Sequence, residues 1–314
     1  MFPRTLSRRS AGFTLVELLV VISIIAILAA LTAAGVQKVR DVGKRTQVKV
    51  EIDQISMALE NMKQTLRVRD IACRGSIDPS FGFKLCKDYA NDGGQNRTQS
   101  YEYLVLKQMF PGAALASTDD GWPGDAIGNG LPDGVVLDAS HMLVFWLGGY
   151  YRDTTLASPN CFVFNSGFNS DARFPFRSNG TPGAKKGPYL EIPPSRQSLL
   201  SNAATNPCPR YMDPWQTPYC FFGTESGRDN NYSAVARFDW NGTRCLPLLT
   251  KASPAIFANQ KSFQVFSAGR NQTFPFSTST SGAQLWAPGG APFDLKGTGG
   301  ENFSNFHPTI LSAP

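Results

Sequence analysis

The feature that most restricts this chain is a run of nineteen residues, Leu18 to Val36, whose only polar side chains are Ser23 and Thr32. As a helix rising about 1.5 Å per residue it spans roughly 28 Å, the hydrocarbon thickness of a bilayer. Arg4, Arg8 and Arg9 precede the run and no basic residue lies within it, which places the N-terminus on the cytoplasmic side. Glu17 stands immediately before it. A carboxylate in a membrane segment costs about 2.5–3.5 kcal/mol on insertion scales, so it needs a partner.

Three readings compete for this segment. A secretory signal peptide would be cut after the run, among the small residues from Ala30 to Gly35. A plain signal anchor would not be cut at all. A third kind of leader is cut before the run, so that the helix is retained. Glu17 decides among them, because only the third supplies it with a positive charge. Cutting between Gly12 and Phe13 frees an amine on Phe13, four residues before Glu17 and so one helical turn away. The pair could form within one chain, or between adjacent helices when subunits stack.

The stretch Arg8-Arg9-Ser10-Ala11-Gly12-Phe13-Thr14-Leu15-Val16-Glu17, with the apolar run behind it, resembles the cleavage and methylation motif of type IV pilins and type II secretion pseudopilins. The resemblance implies that Gly12 is the last leader residue, Phe13 the N-methylated terminus and Glu17 the carboxylate that supports assembly. It also implies partners: a prepilin peptidase/methyltransferase, other pilin or pseudopilin subunits, and an inner-membrane assembly platform. One departure is the absence of the proline that often kinks this helix in pilins; Ala33-Ala34-Gly35 stands in that region.

The helical pattern continues past the membrane. Val48, Ile52, Ile55, Leu59, Met62 and Leu66 recur at spacings of three and four, one apolar stripe at helical period. Lys44, Arg45, Lys49, Glu51, Asp53, Glu60 and Lys63 are read as lying off it. The expected division is a leader over 1–12, a transmembrane half-helix over 13–36, a soluble half-helix over 37–68 and an extracytoplasmic head over 69–314. Gly43 is a candidate bend, since glycine costs about 1 kcal/mol inside a helix. The fold class expected is α+β: a long spine helix packed on an antiparallel β-sheet head with long loops.

From Asp70 onward Gly, Pro, Asn, Ser and aromatic residues dominate. Short helices are expected at Tyr101–Met109 and Ser140–Leu147, and strands at Cys161–Phe164, Tyr189–Ile192, Tyr219–Phe222, Ala234–Phe238 and Phe263–Phe266. Two patches resemble the C-terminal region of the major type II secretion pseudopilin. One is the turn Met212-Asp213-Pro214-Trp215-Gln216-Thr217-Pro218-Tyr219, where Gln216 replaces the family's glycine and a different turn geometry is expected. The other starts at Phe263-Gln264-Val265-Phe266 and closes at Gly300-Glu301-Asn302-Phe303. In the family this loop holds calcium, so the resemblance implies Asn271, Glu301 and Asn302 as ligands. Two of the three are amides, and fewer carboxylates mean weaker calcium binding. A second acidic stretch, Asp119 to Asp133, reads better as turn-forming Asp and Gly.

The formal charge of +6 arises from 30 basic and 24 acidic residues, and removing the leader leaves 27 basic residues against 24. No basic stripe with interleaved aromatics is present, so nucleic acid is not an expected partner. Six cysteines, Cys73, Cys86, Cys161, Cys208, Cys220 and Cys245, fit disulfides in an oxidising compartment, with Cys73–Cys86 and Cys208–Cys220 closing the shortest loops. No nucleophile, phosphate-loop or zinc motif appears. His141 sits in an apolar run and His307 near the C-terminus. The expected function is therefore structural rather than enzymatic: a subunit of a pseudopilus or type IV pilus-like filament, anchored in the inner membrane with its head in the periplasm. The alternatives are a minor pilin acting as an adhesin or substrate-binding subunit, and an enzyme tethered by a pilin-like anchor.

Overall fold

A computed structural model describes residues 13–71, 73–77, 82–119, 128–153, 162–178, 185–198, 208–225, 228–232, 238–240, 242–277, 284–286 and 300–312. The chain divides into two compact units, Met1–Thr46 and Gln47–Pro314. One helix, α1 (Leu15–Leu66), contributes to both.

In the first unit α1 is apolar all round from Leu18 to Val36, apart from Ser23 and Thr32. Every large apolar side chain from Phe13 to Val42 is exposed, and the segment is long and apolar enough to cross a membrane. Its two hydroxyls turn back on the helix: Ser23 Oγ donates to the Leu19 carbonyl at 2.7 Å and Thr32 Oγ1 to the Leu28 carbonyl at 2.9 Å. Neither hydroxyl is then left unpaired. The helix runs unbroken through Gly43, where the sequence suggested a bend.

In the second unit α1 buries Val48, Ile52, Ile55, Leu59 and Met62 completely, so the expected stripe is a core face. It joins a core built around α3 (Ala139–Gly148), a helix with every residue buried. Trp146 meets Phe83 edge-on at 5.9 Å, and Phe145 touches the rings of Tyr150, Phe168 and Phe176. α3 starts one residue before the expected Ser140, because Asp138 is the better cap. Its carboxylate accepts from the backbone N–H groups of Ser140 (2.9 Å) and His141 (3.1 Å), which have no partner inside the helix. α2 (Tyr101–Met109) has the expected bounds and is capped by Ser100.

The head is α+β, with the β-structure in small pieces. Among the described residues there are four three-stranded and three two-stranded sheets, where the sequence suggested a single sheet. The most buried sheet packs strand Phe263–Ser267 between Cys220–Gly223 and Phe303–Ser304, all antiparallel, in the register Phe221↔Val265 and Phe266↔Ser304. Strands Phe238–Trp240 and Thr243–Cys245 form a hairpin in a second sheet. Tyr189–Ile192 is not a strand. The N–H groups of Tyr189 and Leu190 both donate to the Leu147 carbonyl, and the Asn165 amide bonds both backbone groups of Ile192. These bonds take up backbone groups that a ladder would otherwise pair. Residues 234–237 and Cys161, expected in strands, lie outside the described residues.

Candidate functional site

The start of α1 is built by two side chains. Thr14 is the cap, its carbonyl accepting from Leu18 N–H at 3.2 Å. Its hydroxyl oxygen accepts from Glu17 N–H at 3.2 Å, while Glu17 Oε2 accepts from Thr14 N–H at 2.9 Å and from the Thr14 hydroxyl at 2.8 Å. This reciprocal pair is a capping box, and it satisfies donors that the first helical turn would otherwise leave open. Phe13 is 74 % exposed directly before it. Gly12 lies outside the described residues.

Glu17 does not depend on a freed amine for a partner, because the uncut chain already gives it two donors from Thr14. The physical reason is position: Glu17 is the third helical residue, where a carboxylate reaches back to the cap and meets the positive end of the helix dipole. Both bonds end on Oε2, so among the described residues Oε1 can still receive a second donor.

Further along α1, Glu51 carries a contact that the stripe reading missed. It is only 8 % exposed. Arg196 binds it with both terminal nitrogens, at 2.9 and 2.7 Å, the Tyr219 hydroxyl donates at 2.5 Å, and the Gln47 amide donates at 2.8 Å. Burial first, and then the Glu51 charge, pushes the Tyr219 phenol well above its ordinary value, so it remains a donor. Arg196 also donates from Nε to the Met212 carbonyl at 2.7 Å. Glu51 lies three residues after Val48 and four before Ile55, so its position on the buried face was open to inspection.

The Met212–Tyr219 turn is closed by Asp213. Its Oδ1 accepts from Trp215 N–H (2.8 Å) and Thr217 N–H (2.9 Å), and its Oδ2 accepts from the Ser267 hydroxyl (2.7 Å). Gln216 adopts φ +65°, the left-handed conformation that favours glycine. The glycine-type backbone is therefore present at this position, although a different geometry was expected of glutamine.

The three residues implied as calcium ligands surround one neighbouring loop. Asn302 Nδ2 donates to the carbonyls of Ala268 (2.7 Å) and Thr273 (2.9 Å), and Asn271 Oδ1 accepts from Thr273 N–H (3.2 Å). Gly269, at φ +73°, lets the Glu301 carbonyl approach so closely that a Cβ would lie 2.0 Å from it. Asn302 Oδ1 is buried and meets no donor among the described residues. An oxygen of this kind suits a hard cation such as calcium, whereas Asn271 Oδ1 is already taken by the Thr273 N–H. Among the described residues no group of three His, Cys, Asp or Glu side chains could hold a metal. Asp119 of the second acidic stretch is spent on the Leu115 and Ala116 N–H groups, and residues 120–127 lie outside the described residues. His141 is a buried part of the α3 start, and His307 packs edge-on against Trp286 at 5.2 Å.

The described chain is thus a capped, apolar N-terminal helix followed by an α+β head. Residues 7–33 match the prokaryotic N-terminal methylation motif, and the chain thus carries the leader of type IV pilins and pseudopilins. No curated protein and no solved structure matches the chain.

Proposed function

We propose that this protein is a structural subunit of a type II secretion pseudopilus or type IV pilus-like filament, cut by a prepilin peptidase after Gly12 and assembled through α1. The observation that carries the reading is the methylation motif over 7–33, with Glu17 at the fifth position of the chain that would begin at Phe13. Cleavage releases the Phe13 amine, which the same enzyme methylates, and the helix stays in the inner membrane. The amine of one subunit then meets the Glu17 carboxylate of another. In apolar surroundings such a charge pair has few competing partners, which sets the register of one helix on the next. The assembly platform supplies subunits from the membrane, and the head faces the periplasm and forms the filament surface.

The test is the N-terminus of the natural protein together with two variants. Mass spectrometry is expected to find a chain starting at methylated Phe13. Glu17→Gln keeps the capping box, because glutamine also reaches back to the cap, but it removes the charge. It is expected to be cut normally and to fall at least about tenfold in the sheared filament fraction, a loss of some 1.4 kcal/mol or more per contact. Glu17→Ala is expected to behave alike. A natural chain beginning at Met1, or beyond Val36, overturns the cleavage; normal assembly of Glu17→Gln overturns the charge pair.

The orphaned Asn302 oxygen favours a second, narrower reading: a calcium ion bound by Asn302, Asn271 and Glu301 that fixes the loop closing on Gly269. Millimolar calcium is then expected to raise the melting temperature of the full-length protein in detergent, and Glu301→Gln to abolish the rise. An unchanged melting temperature between calcium and chelator leaves the loop held by its hydrogen bonds alone.

A further inference from the structure

Two thiols that stand far apart in the sequence meet in the head. Cys220 opens strand Cys220–Gly223, opposite Phe266, and Cys245 ends strand Thr243–Cys245, opposite Phe238. The two strands belong to different sheets. Both cysteines are almost completely buried free thiols, and their side chains approach each other. By spacing along the sequence, Cys208 is the cysteine that would close the shortest loop with Cys220. In the fold, Cys208 Sγ instead donates to the carbonyls of His141 (3.6 Å) and Pro209 (3.7 Å), and Cys73 Sγ donates to the Gly223 carbonyl (3.8 Å). The pairing of Cys220 thus follows strand packing rather than loop length.

We propose that Cys220 and Cys245 close into a disulfide that staples the two sheets of the head together. The reaction is an exchange with a disulfide oxidant, a small-molecule or protein disulfide. One cysteine thiolate attacks an oxidant sulfur and expels the first oxidant thiolate, leaving a mixed disulfide. The second cysteine thiolate then attacks its partner's sulfur and expels the other. Two protein thiols are oxidised, one oxidant disulfide is reduced, and the two protons pass to the released thiolates. Burial pushes the Cys220 thiol well above its ordinary value, so the closed native pair holds little thiolate and reacts slowly. The bond is therefore made while the strands assemble and is shielded from exchange afterwards. It ties off residues 221–244, and the restriction it places on the unfolded chain stabilises the head. In the cell the bond rests on the extracytoplasmic placement of the head proposed above, because the cytosol keeps thiols reduced. The intrinsic pairing does not depend on that placement.

The experiment refolds reduced, full-length protein in detergent with oxidised and reduced glutathione, alkylates the remaining thiols and maps linked peptides by mass spectrometry without reduction. A Cys220–Cys245 linked peptide is expected as the main product for these two residues. It should persist in Cys208→Ala and Cys73→Ala and vanish in Cys245→Ala. Reduction of the linked protein is expected to lower its melting temperature by about 5–10 °C. Cys220 joined to any other cysteine, or both residues alkylated, overturns the proposal. Protein taken directly from cell membranes is mapped in parallel. If the link forms on refolding but the cellular protein carries both thiols free, the pairing stands and the extracytoplasmic placement fails.

Discussion

Asp213 has no exposed surface, yet it accepts three hydrogen bonds at the base of a turn. Burial pushes its carboxyl up to about 6, against the opposing pull of Ser267, Thr217, Trp215 and Arg196. In the unfolded chain an aspartate titrates near 4, so the folded state binds the proton more tightly. The contribution to stability is then full below about pH 4 and is lost as pH rises through about 6, an effect on the order of 3 kcal/mol. Asp213→Asn is the matched control. Its amide oxygen still accepts from Trp215 and Thr217, and its nitrogen donates to the Ser267 oxygen. Urea unfolding of the full chain in detergent from pH 4 to 7 is expected to show a gap between wild type and variant that changes across this window. A constant gap would mean that Asp213 does not titrate there. The burial of this carboxylate was not readable from Asp-Pro-Trp, which is equally a surface turn. The role of Thr14 was readable, since threonine followed three residues later by glutamate is a helix-start signal.

At the scale of elements, legibility follows the range of the forces. The buried stripe of α1 came directly from periodicity, and α2 keeps its expected bounds, with Ser100 as its cap, because helix hydrogen bonds are local. α3 was displaced by one residue because two good caps, Asp138 and Ser140, stand close together. Asp138 prevails because it caps two N–H groups and also holds Arg210 Nη2 at 2.6 Å, a partner 72 positions away in sequence. Burial alone would push the Asp138 carboxyl up; His141, Arg210 and Ser140 instead hold it well below the usual carboxylate range. The strands were the least legible. Tyr189–Ile192 has the composition of a strand but finds its partners in Leu147 and Asn165. Sheet pairing is decided by what arrives from elsewhere in the chain, which no local pattern contains. The same limit hid the contact of Cys220 with Cys245 and the grip of Arg196 on Glu51.

For the molecule as a whole, the two units divide the work of α1 at a definite place. Up to Val42 its large apolar side chains are exposed; from Val48 onward one face, Val48, Ile52, Ile55, Leu59 and Met62, is buried, while Val50 and Met57 on the other sides stay exposed. The second unit therefore needs the later part of the helix as core and does not need the earlier part. A chain beginning at Gln47 is expected to be soluble and to melt cooperatively by circular dichroism. A chain beginning at Arg67 loses Val48, Ile52, Ile55, Leu59 and Met62, each worth about 1.5–3 kcal/mol of burial. It also leaves Arg196 and the Tyr219 hydroxyl without Glu51, and an unpaired buried charge adds about 3–5 kcal/mol. Together these losses reach the whole stability of an ordinary domain, about 5–15 kcal/mol. The shorter chain should aggregate or show no transition. Equal melting of the two truncated chains would mean that residues 47–66 are not core to the head, and the division of the helix would have to be drawn elsewhere.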